Sequence, residues 1–420
     1  MPETTLKPTK NKSIELLAPA GSFESLQAAI QAGANAVYFG VEQLNMRARS
    51  VNNFTRDDLK EISSRCREKD VKTYLTMNTV IYDHDVMLMR NIIDAAKESG
   101  IDALIAADQA VLAYCKRVGM PLHISTQANI SNVESVDFYA SYADAVVLAR
   151  ELSLSQVETI VKQIKRQKIC GPAGELMRVE VFVHGALCMA VSGKCYLSLH
   201  SNNASANRGA CIQNCRRTYI VTDKEEGTEL EIDNEYIMSS KDLCAIDFLN
   251  QLLDAGVSIL KIEGRGRSAD YVYTTTKCYR EAMDAYADGS LNEEKIAYWK
   301  TELAKVFNRG FWEGYYLGKE MGEWSKDYGS VATEKKIYTA KALKYYSDKG
   351  VGEFLVESNQ LNVGMKIMLS GPTTGIMQAE ITELRVDNKP VEHVKKGEIF
   401  TMPVGQKIRP SDRLYKLLPA

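Results

Sequence analysis

From Ile14 onward, short β-type runs alternate with amphipathic helical stretches, and this alternation is the strongest constraint on the fold. IELLA (14–18) reads as a strand. Ser22 then suits a helix N-cap, Leu26, Ala29 and Ile30 form an apolar stripe, and Gly33 falls where a helix-ending glycine is expected. AVYFG (36–40), VKTYLTMN (71–78), ALIAAD (103–108), LHISTQ (122–127), AVVLAR (145–150), VEVFVHG (179–185) and SILKIEG (258–264) are further strands, with helical patterns between and after them. Eight strand–helix units over about 270 residues predict an α/β chain with a closed (β/α)8, TIM-like barrel spanning 14–290. An open doubly wound sheet is the alternative. It usually has fewer strands, and no GxGxxG follows the first strand here.

The regular pattern fails between 187 and 240, a cysteine-bearing insertion rich in glycine and asparagine. A loop of that length in a compact domain usually carries function, and this one leaves the C-terminal end of a strand, where barrels build their sites. Residues 1–13 read as a disordered tail and 291–332 as a helical linker. From 333 to 420 the texture turns to β runs separated by turn signals such as SDKG and VDNKP, which predicts a small all-β barrel.

Bulk properties narrow the function classes without choosing one. The chain is 45% hydrophobic and 25% charged with a net charge of −2, so a nucleic-acid partner would need a local basic face. No apolar run is long enough to span a bilayer and no signal peptide is apparent, so a cytoplasmic protein without a membrane partner is expected. Thiols stay reduced there, and grouped cysteines point to metal or redox chemistry.

Five of the nine cysteines fall within 57 residues: Cys188 and Cys195 in HGALCMAVSGKC, Cys211 and Cys215 in RGACIQNCRRTY, and Cys244 in SSKDLC. Several soft ligands in one stretch suit a metal centre. The wide interval between Cys188 and Cys195 favours an iron–sulfur cluster over zinc, and Lys194, Arg208, Arg216 and Arg217 would offset the thiolates. Zinc and plain reduced thiols remain the alternatives. Cys66, Cys115, Cys170 and Cys278 stand singly and read as small buried residues.

Polar residues at the strand ends should converge on the barrel mouth: Asn78, Asp108, Gln127, Arg150, His184, Glu263 and Arg265. His184, next to Gly185 and Cys188, is a candidate proton donor, ligand or substrate contact, or else a hydrogen-bonded core histidine. Glu263 and Arg265 are expected to form either an ion pair at the rim or part of an anion site. Arg47 and Arg49, in the loop after the second strand, could grip a phosphate or carboxylate.

ELLAPAGSFESLQAAIQAGANAVYFG, VFVHGALCMAVSGKCYLS, RGACIQNCRRTY, MSSKDLC, IEGRGRSADYV and FNRGFWEGYYLG together resemble peptidase family U-32, the collagenase-like proteases. One departure is Trp312-Glu313, where relatives are expected to carry smaller residues. The resemblance implies either a peptidase or a cluster-bearing hydroxylation protein, and the two-part layout is most similar to the prephenate-dependent tRNA wobble-uridine hydroxylation proteins. It implies a 4Fe–4S cluster on Cys188, Cys195, Cys211 and Cys244, with Cys215 as the alternate to Cys211. It also implies prephenate as a small anionic co-substrate, tRNA as partner through the C-terminal β region, and a possible partner protein of the same family. On that reading His184, Glu263 and Arg265 are catalytic, and Arg47, Arg49, Asn78, Gln127 and Arg150 bind substrate. The alternatives are a peptidase, or a hydroxylation protein for another RNA or a small molecule. No HExxH motif or GxSxG elbow supports the peptidase.

Overall fold

A computed structural model of the chain describes residues 14–48, 53–219, 222, 224–225, 227, 238–319, 322–326 and 329–420. Arg49 and the tail 1–13 lie outside the described residues.

Eight parallel strands close on themselves as predicted. They are β1 (Glu15–Pro19), β2 (Ala36–Phe39), β3 (Lys72–Met77), β4 (Ala103–Ala106), β5 (Leu122–Ile124), β6 (Ala145–Val147), β7 (Arg178–Ala186) and β9 (Ile259–Ile262). Neighbours pair in chain order, and β9 pairs in parallel with both β7 and β1, which completes the ring. Leu17, Ala36, Tyr38, Tyr74, Ala103, Ile105, Ala145 and Ile259 fill the interior. Intervening residues such as Leu16, Val37 and Leu104 face the helices, as a period of two requires.

The surrounding helices form for local reasons that the sequence states. α1 (Phe23–Gln31) opens with a Ser22/Ser25 capping box. Between α1 and a tenth helix lie α2 (Asp58–Arg67), α3 (Val86–Glu98), α4 (Gln109–Val118), α5 (Val133–Ala140), α6 (Leu154–Gln167), α7 (Leu197–Asn202), α8 (Leu249–Asp254) and α9 (Ala269–Ala287). In α6, Ser153 caps the start and Val157, Ile160, Val161 and Ile164 bury one face, each contributing roughly 1.5–3 kcal/mol. Asp108 is also a cap: its carboxylate accepts from Ala110 N at 2.9 Å and from Ile81 N at 2.9 Å.

Two short strands were not anticipated. β8 (Asp242–Cys244) runs antiparallel to the end of β7, pairing His184 with Cys244. β10 (Phe311–Trp312), in the glycine-rich segment after α10 (Glu293–Lys305), extends the same patch by pairing with β8. Three residues of β ladder are too short to register as a period in the sequence.

Beyond Glu334 the chain is all β and antiparallel. Eight strands form one sheet in the order Gly375–Glu380, Lys366–Gly371, Arg413–Pro419, Glu334–Tyr346, Val351–Val356, Ile399–Pro403, Leu384–Val386 and Lys389–Val391. A ribbon of Gln360–Asn362 with His393–Lys395 accompanies it. Phe354 and Phe400 stack in its own core, 5.3 Å between centroids. The sheet docks on α1 and α9, where Ala28 and Ala269 leave room for Met368 and Ile376. Gln31 donates to Ile376 O at 2.8 Å and accepts from Ile376 N at 2.9 Å, so its side-chain amide pairs like a strand edge. No helix among the described residues is long and apolar enough to cross a membrane.

Candidate active site

The excursion after β7 folds back over the C-terminal mouth of the barrel and is tied to the loops that follow other strands. Arg208 donates to Asp85 and to Val80 O, both at 2.6 Å, and stacks on Tyr82. Asn129 Nδ2 donates to Ser192 O at 2.9 Å. Beneath lies a cavity of about 270 Å³.

Its lining is strongly unbalanced in charge. Arg47, Arg150, Arg216, Lys261, Arg265, Arg267 and Arg309 face one lining carboxylate, Glu263. Arg47 reaches Glu263 at 3.3 Å and Arg150 at 4.0 Å, while Tyr38 Oη donates to it at 3.3 Å. Burial pushes the Glu263 carboxyl up, but Arg47, Arg150, Arg265 and Lys261 outweigh it, and the group sits below the usual carboxylate range. Arg265 is almost fully buried, yet its guanidinium bonds only neutral oxygens, Asn45 Oδ1 at 2.7 Å and Thr76 Oγ1. Burial lowers it to about 10. A buried cation without its own carboxylate is costly unless an anion arrives.

Gly40 makes room for that cation. A Cβ there would meet Arg265 Nη1 at 2.3 Å and Asn45 Cγ at 2.8 Å. Arg150 donates to Ala186 O at 3.1 Å and lies 3.8 Å over the Phe182 ring. Asn78 and Gln127 also line the cavity; Asn78 accepts from Met46 N at 3.2 Å, and Gln127 Oε1 is buried without a partner among the described residues.

The floor is a buried ionic network. Lys261 Nζ lies 2.6 Å from Glu180, which also meets His123 Nδ1 at 3.3 Å. Burial pushes Glu180 up, but the Lys261 charge and His123 outweigh it and hold the carboxyl near about 2.

The cysteines divide. Cys188, Cys195, Cys211 and Cys215 all line the cavity. Burial raises the Cys215 thiol, Arg216 opposes this, and the negative charge of Cys188, Cys211 and Cys195 raises it further, so the four sense one another. Cys244 does not line the cavity. It is buried, with Sγ 3.9 Å from Tyr279 Oη, and burial pushes its thiol up to about 11. Cys215 therefore shares the cavity lining with the other three, and Cys244, paired with His184 on β8, does not. The donor set on the wall, four soft thiols flanked by guanidiniums, fits a thiolate-bound iron–sulfur cluster in chemistry. No three His, Cys, Asp or Glu side chains among the described residues stand close enough to hold a metal ion as placed.

His184 also departs from its expected place. It does not line the cavity; its ring packs against Tyr279 and Phe311, both at 5.5 Å between centroids. This is the core-histidine alternative, and burial drives its pKa down to about 3.

With this geometry in view, the sequence profile described as "Peptidase family U32" matches residues 21–326. The chain belongs to this family. A collagenase of Porphyromonas gingivalis is 57% identical over 402 residues, covering 96% of this chain and 97% of the relative. The tRNA hydroxylation protein P1 of Bacillus subtilis is 34% identical over 328 residues, 75% of each chain. A 23S rRNA 5-hydroxycytidine synthase of Escherichia coli is 32% identical over 368 residues, covering 84% of this chain and 53% of the relative.

In this U32 chain the strand-end rule located Asn78, Gln127, Arg150, Glu263 and Arg265 at the cavity, and the loop after the second strand supplied Arg47. Sequence reasoning missed Tyr38 and Arg309. Tyr38 lies within β2 rather than past its end, and Arg309 arrives from beyond the barrel pattern.

His184 predicts a pH effect. Its folded pKa is depressed below the ordinary histidine value, so the unfolded chain takes the proton first. The neutral ring's contribution is complete above about pH 6.5 and declines as the pH falls toward about 3, by up to about 1.4 kcal/mol per unit. Denaturant midpoints of His184→Phe should fall less steeply with pH than those of the native chain between pH 6.5 and 5.

Proposed function

We propose that this protein hydroxylates RNA, and specifically that it installs the 5-hydroxyl group on the wobble uridine of tRNA with prephenate as co-substrate and a 4Fe–4S cluster. The observation that carries this reading is the cavity itself: seven cations around one lining carboxylate at a barrel mouth, with four thiols on the wall. A dicarboxylate such as prephenate suits the cationic group of Arg47, Arg150, Lys261 and Arg265, since guanidinium binds carboxylate through paired hydrogen bonds. Glu263, held ionised by its neighbours, is a hydrogen-bond acceptor and candidate base within the same space. Gln127 Oε1 offers a further acceptor for the edge of a nucleobase.

The rim favours a flipped or single-stranded nucleotide. Tyr196, Ile212, Met189 and Val191 are exposed on the excursion, and Tyr82 beside Arg208 adds an aromatic face. Unstacked bases are held by such faces and by guanidinium planes. A cluster on Cys188, Cys195, Cys211 and Cys215 would supply one-electron chemistry at the wall.

The second reading is a peptidase, favoured by the name of the 57% identical relative. It lacks an evident nucleophile–base pair: among the described residues no serine or cysteine side chain hydrogen-bonds a histidine, and His123 and His184 bond Glu180 and Tyr279 instead.

Nucleoside analysis of tRNA from a deletion strain should lack 5-hydroxyuridine-type wobble bases, and complementation should restore them. Unchanged tRNA together with lost gelatin cleavage would transfer the conclusion to the peptidase. Gly40→Ala should displace the Arg265 guanidinium and weaken binding of a small dicarboxylate by about tenfold, roughly the value of one charge-assisted contact. Titration calorimetry with malonate reads that change directly.

A further inference from the structure

At one side of the cavity two guanidiniums stand against one aromatic ring. Arg267 Cζ lies 3.6 Å from the Phe307 ring centroid and Arg309 Cζ lies 5.0 Å from it. Arg267 follows the last barrel strand, whereas Phe307 and Arg309 come from the segment after α10. The fold therefore brings together residues about forty positions apart in sequence.

The hydrogen-bonding edges of this pair are largely unused. A guanidinium carries five N–H donors. Among the described residues the Arg267 side chain makes ring contacts, to Phe307 and at 5.9 Å to Tyr271, and no hydrogen bond. Arg309 makes one, to Asp242 at 3.4 Å, with its side chain only 10% exposed. Arg216, by contrast, is locked to backbone carbonyls, donating to Leu187 O and Ser240 O at 2.7 Å each. Among the described residues Asp242 is the one carboxylate paired with Arg309, and it stands against the combined charge of Arg309, Arg267 and Arg216. Two stacked guanidiniums with free edges, facing a cavity, form a receptor for an oxyanion.

We infer that Arg267 and Arg309, braced by Phe307, form an oxyanion-binding site in the wall of the cavity that also holds Glu263. The occupant is a phosphate or carboxylate group. It comes either from the backbone phosphate of a polynucleotide or from a small organic acid. Only the first source rests on the RNA reading above; the anion site itself does not.

The test is equilibrium binding of inorganic phosphate to the full chain, followed by titration calorimetry at low and moderate salt, with malonate as a parallel probe. The native chain should bind, and Arg267→Gln and Arg309→Gln should each weaken binding by at least about tenfold. Arg309→Gln removes a partner of buried Asp242 and can unfold the chain. Arg267→Gln, whose side chain bonds nothing among the described residues, then carries the test. Preferential loss of phosphate binding assigns the polynucleotide source, and preferential loss of malonate binding assigns the organic acid. If the native chain binds neither probe, or both variants bind as it does, the inference is overturned. Variants that lose only iron would mean that the pair merely offsets the charge of the thiols, which also overturns it. If probe binding behaves as expected while tRNA from a deletion strain is unchanged, the site stands and the RNA reading falls.

Discussion

Lys261→Ala is expected to lower the unfolding free energy by roughly 3–5 kcal/mol at neutral pH, the usual cost of stripping the partner from a buried charge. Glu180 is fully buried, and Lys261 Nζ lies 2.6 Å from it. His123, at 3.3 Å, cannot replace a full positive charge without binding a proton of its own. Urea unfolding followed by circular dichroism reads the loss.

The same pair sets an acid limit. Although burial pushes Glu180 up, Lys261 and His123 hold its folded pKa at about 2, below the unfolded value. Its contribution is therefore complete above about pH 4.3 and is lost as the pH falls toward about 2. In Lys261→Ala only the His123 contact opposes burial, so the folded carboxyl moves up and the stability that Glu180 adds above about pH 4.3 shrinks. The stability gap between native and variant chains should narrow as the pH drops below about 5. A gap that stays constant with pH would mean that lost packing, not lost charge, causes the effect.

Cys215→Ser should strip most of the iron from anaerobically purified protein, while Cys244→Ser should keep it. On the cluster reading the native protein is brown, with iron and acid-labile sulfide near about four each per chain. Cys215 shares the cavity wall with Cys188, Cys195 and Cys211, whereas Cys244 is sealed beside Tyr279. The reverse result, iron lost with Cys244→Ser and retained with Cys215→Ser, would require β8 to leave its place beside β7 when the cluster assembles. A colourless native protein would remove the cluster altogether.

These two predictions mark where local pattern ends. Strand and helix periodicity, caps such as Ser22 and Ser153, and the broken stretch after β7 are short-range properties, and residues a few positions apart determine them. They made the eight-stranded barrel, its mouth and most of the strand-end site residues legible from sequence. The cysteine group was legible in the sequence too, and the family resemblance added the ligand set expected for a cluster. Which cysteines share a wall, by contrast, depends on β8, a three-residue strand whose ladder with β7 leaves no periodic trace. His184 illustrates the same limit: its position at a strand end pointed to the mouth, but the side chain packs among Tyr271, Tyr279 and Phe311 from later segments.

By itself, then, the amino-acid order determined the barrel, its all-β companion and the stretch in which chemistry would gather, because hydrophobic period and turn residues act through near neighbours. Tertiary structure alone decided that Lys261 neutralises Glu180, that Arg265 is left facing neutral oxygens, and that Arg267 meets Arg309 across Phe307. Charge pairing inside a closed barrel is a matter of distances between chain segments far apart in sequence, and only the folded arrangement sets those distances.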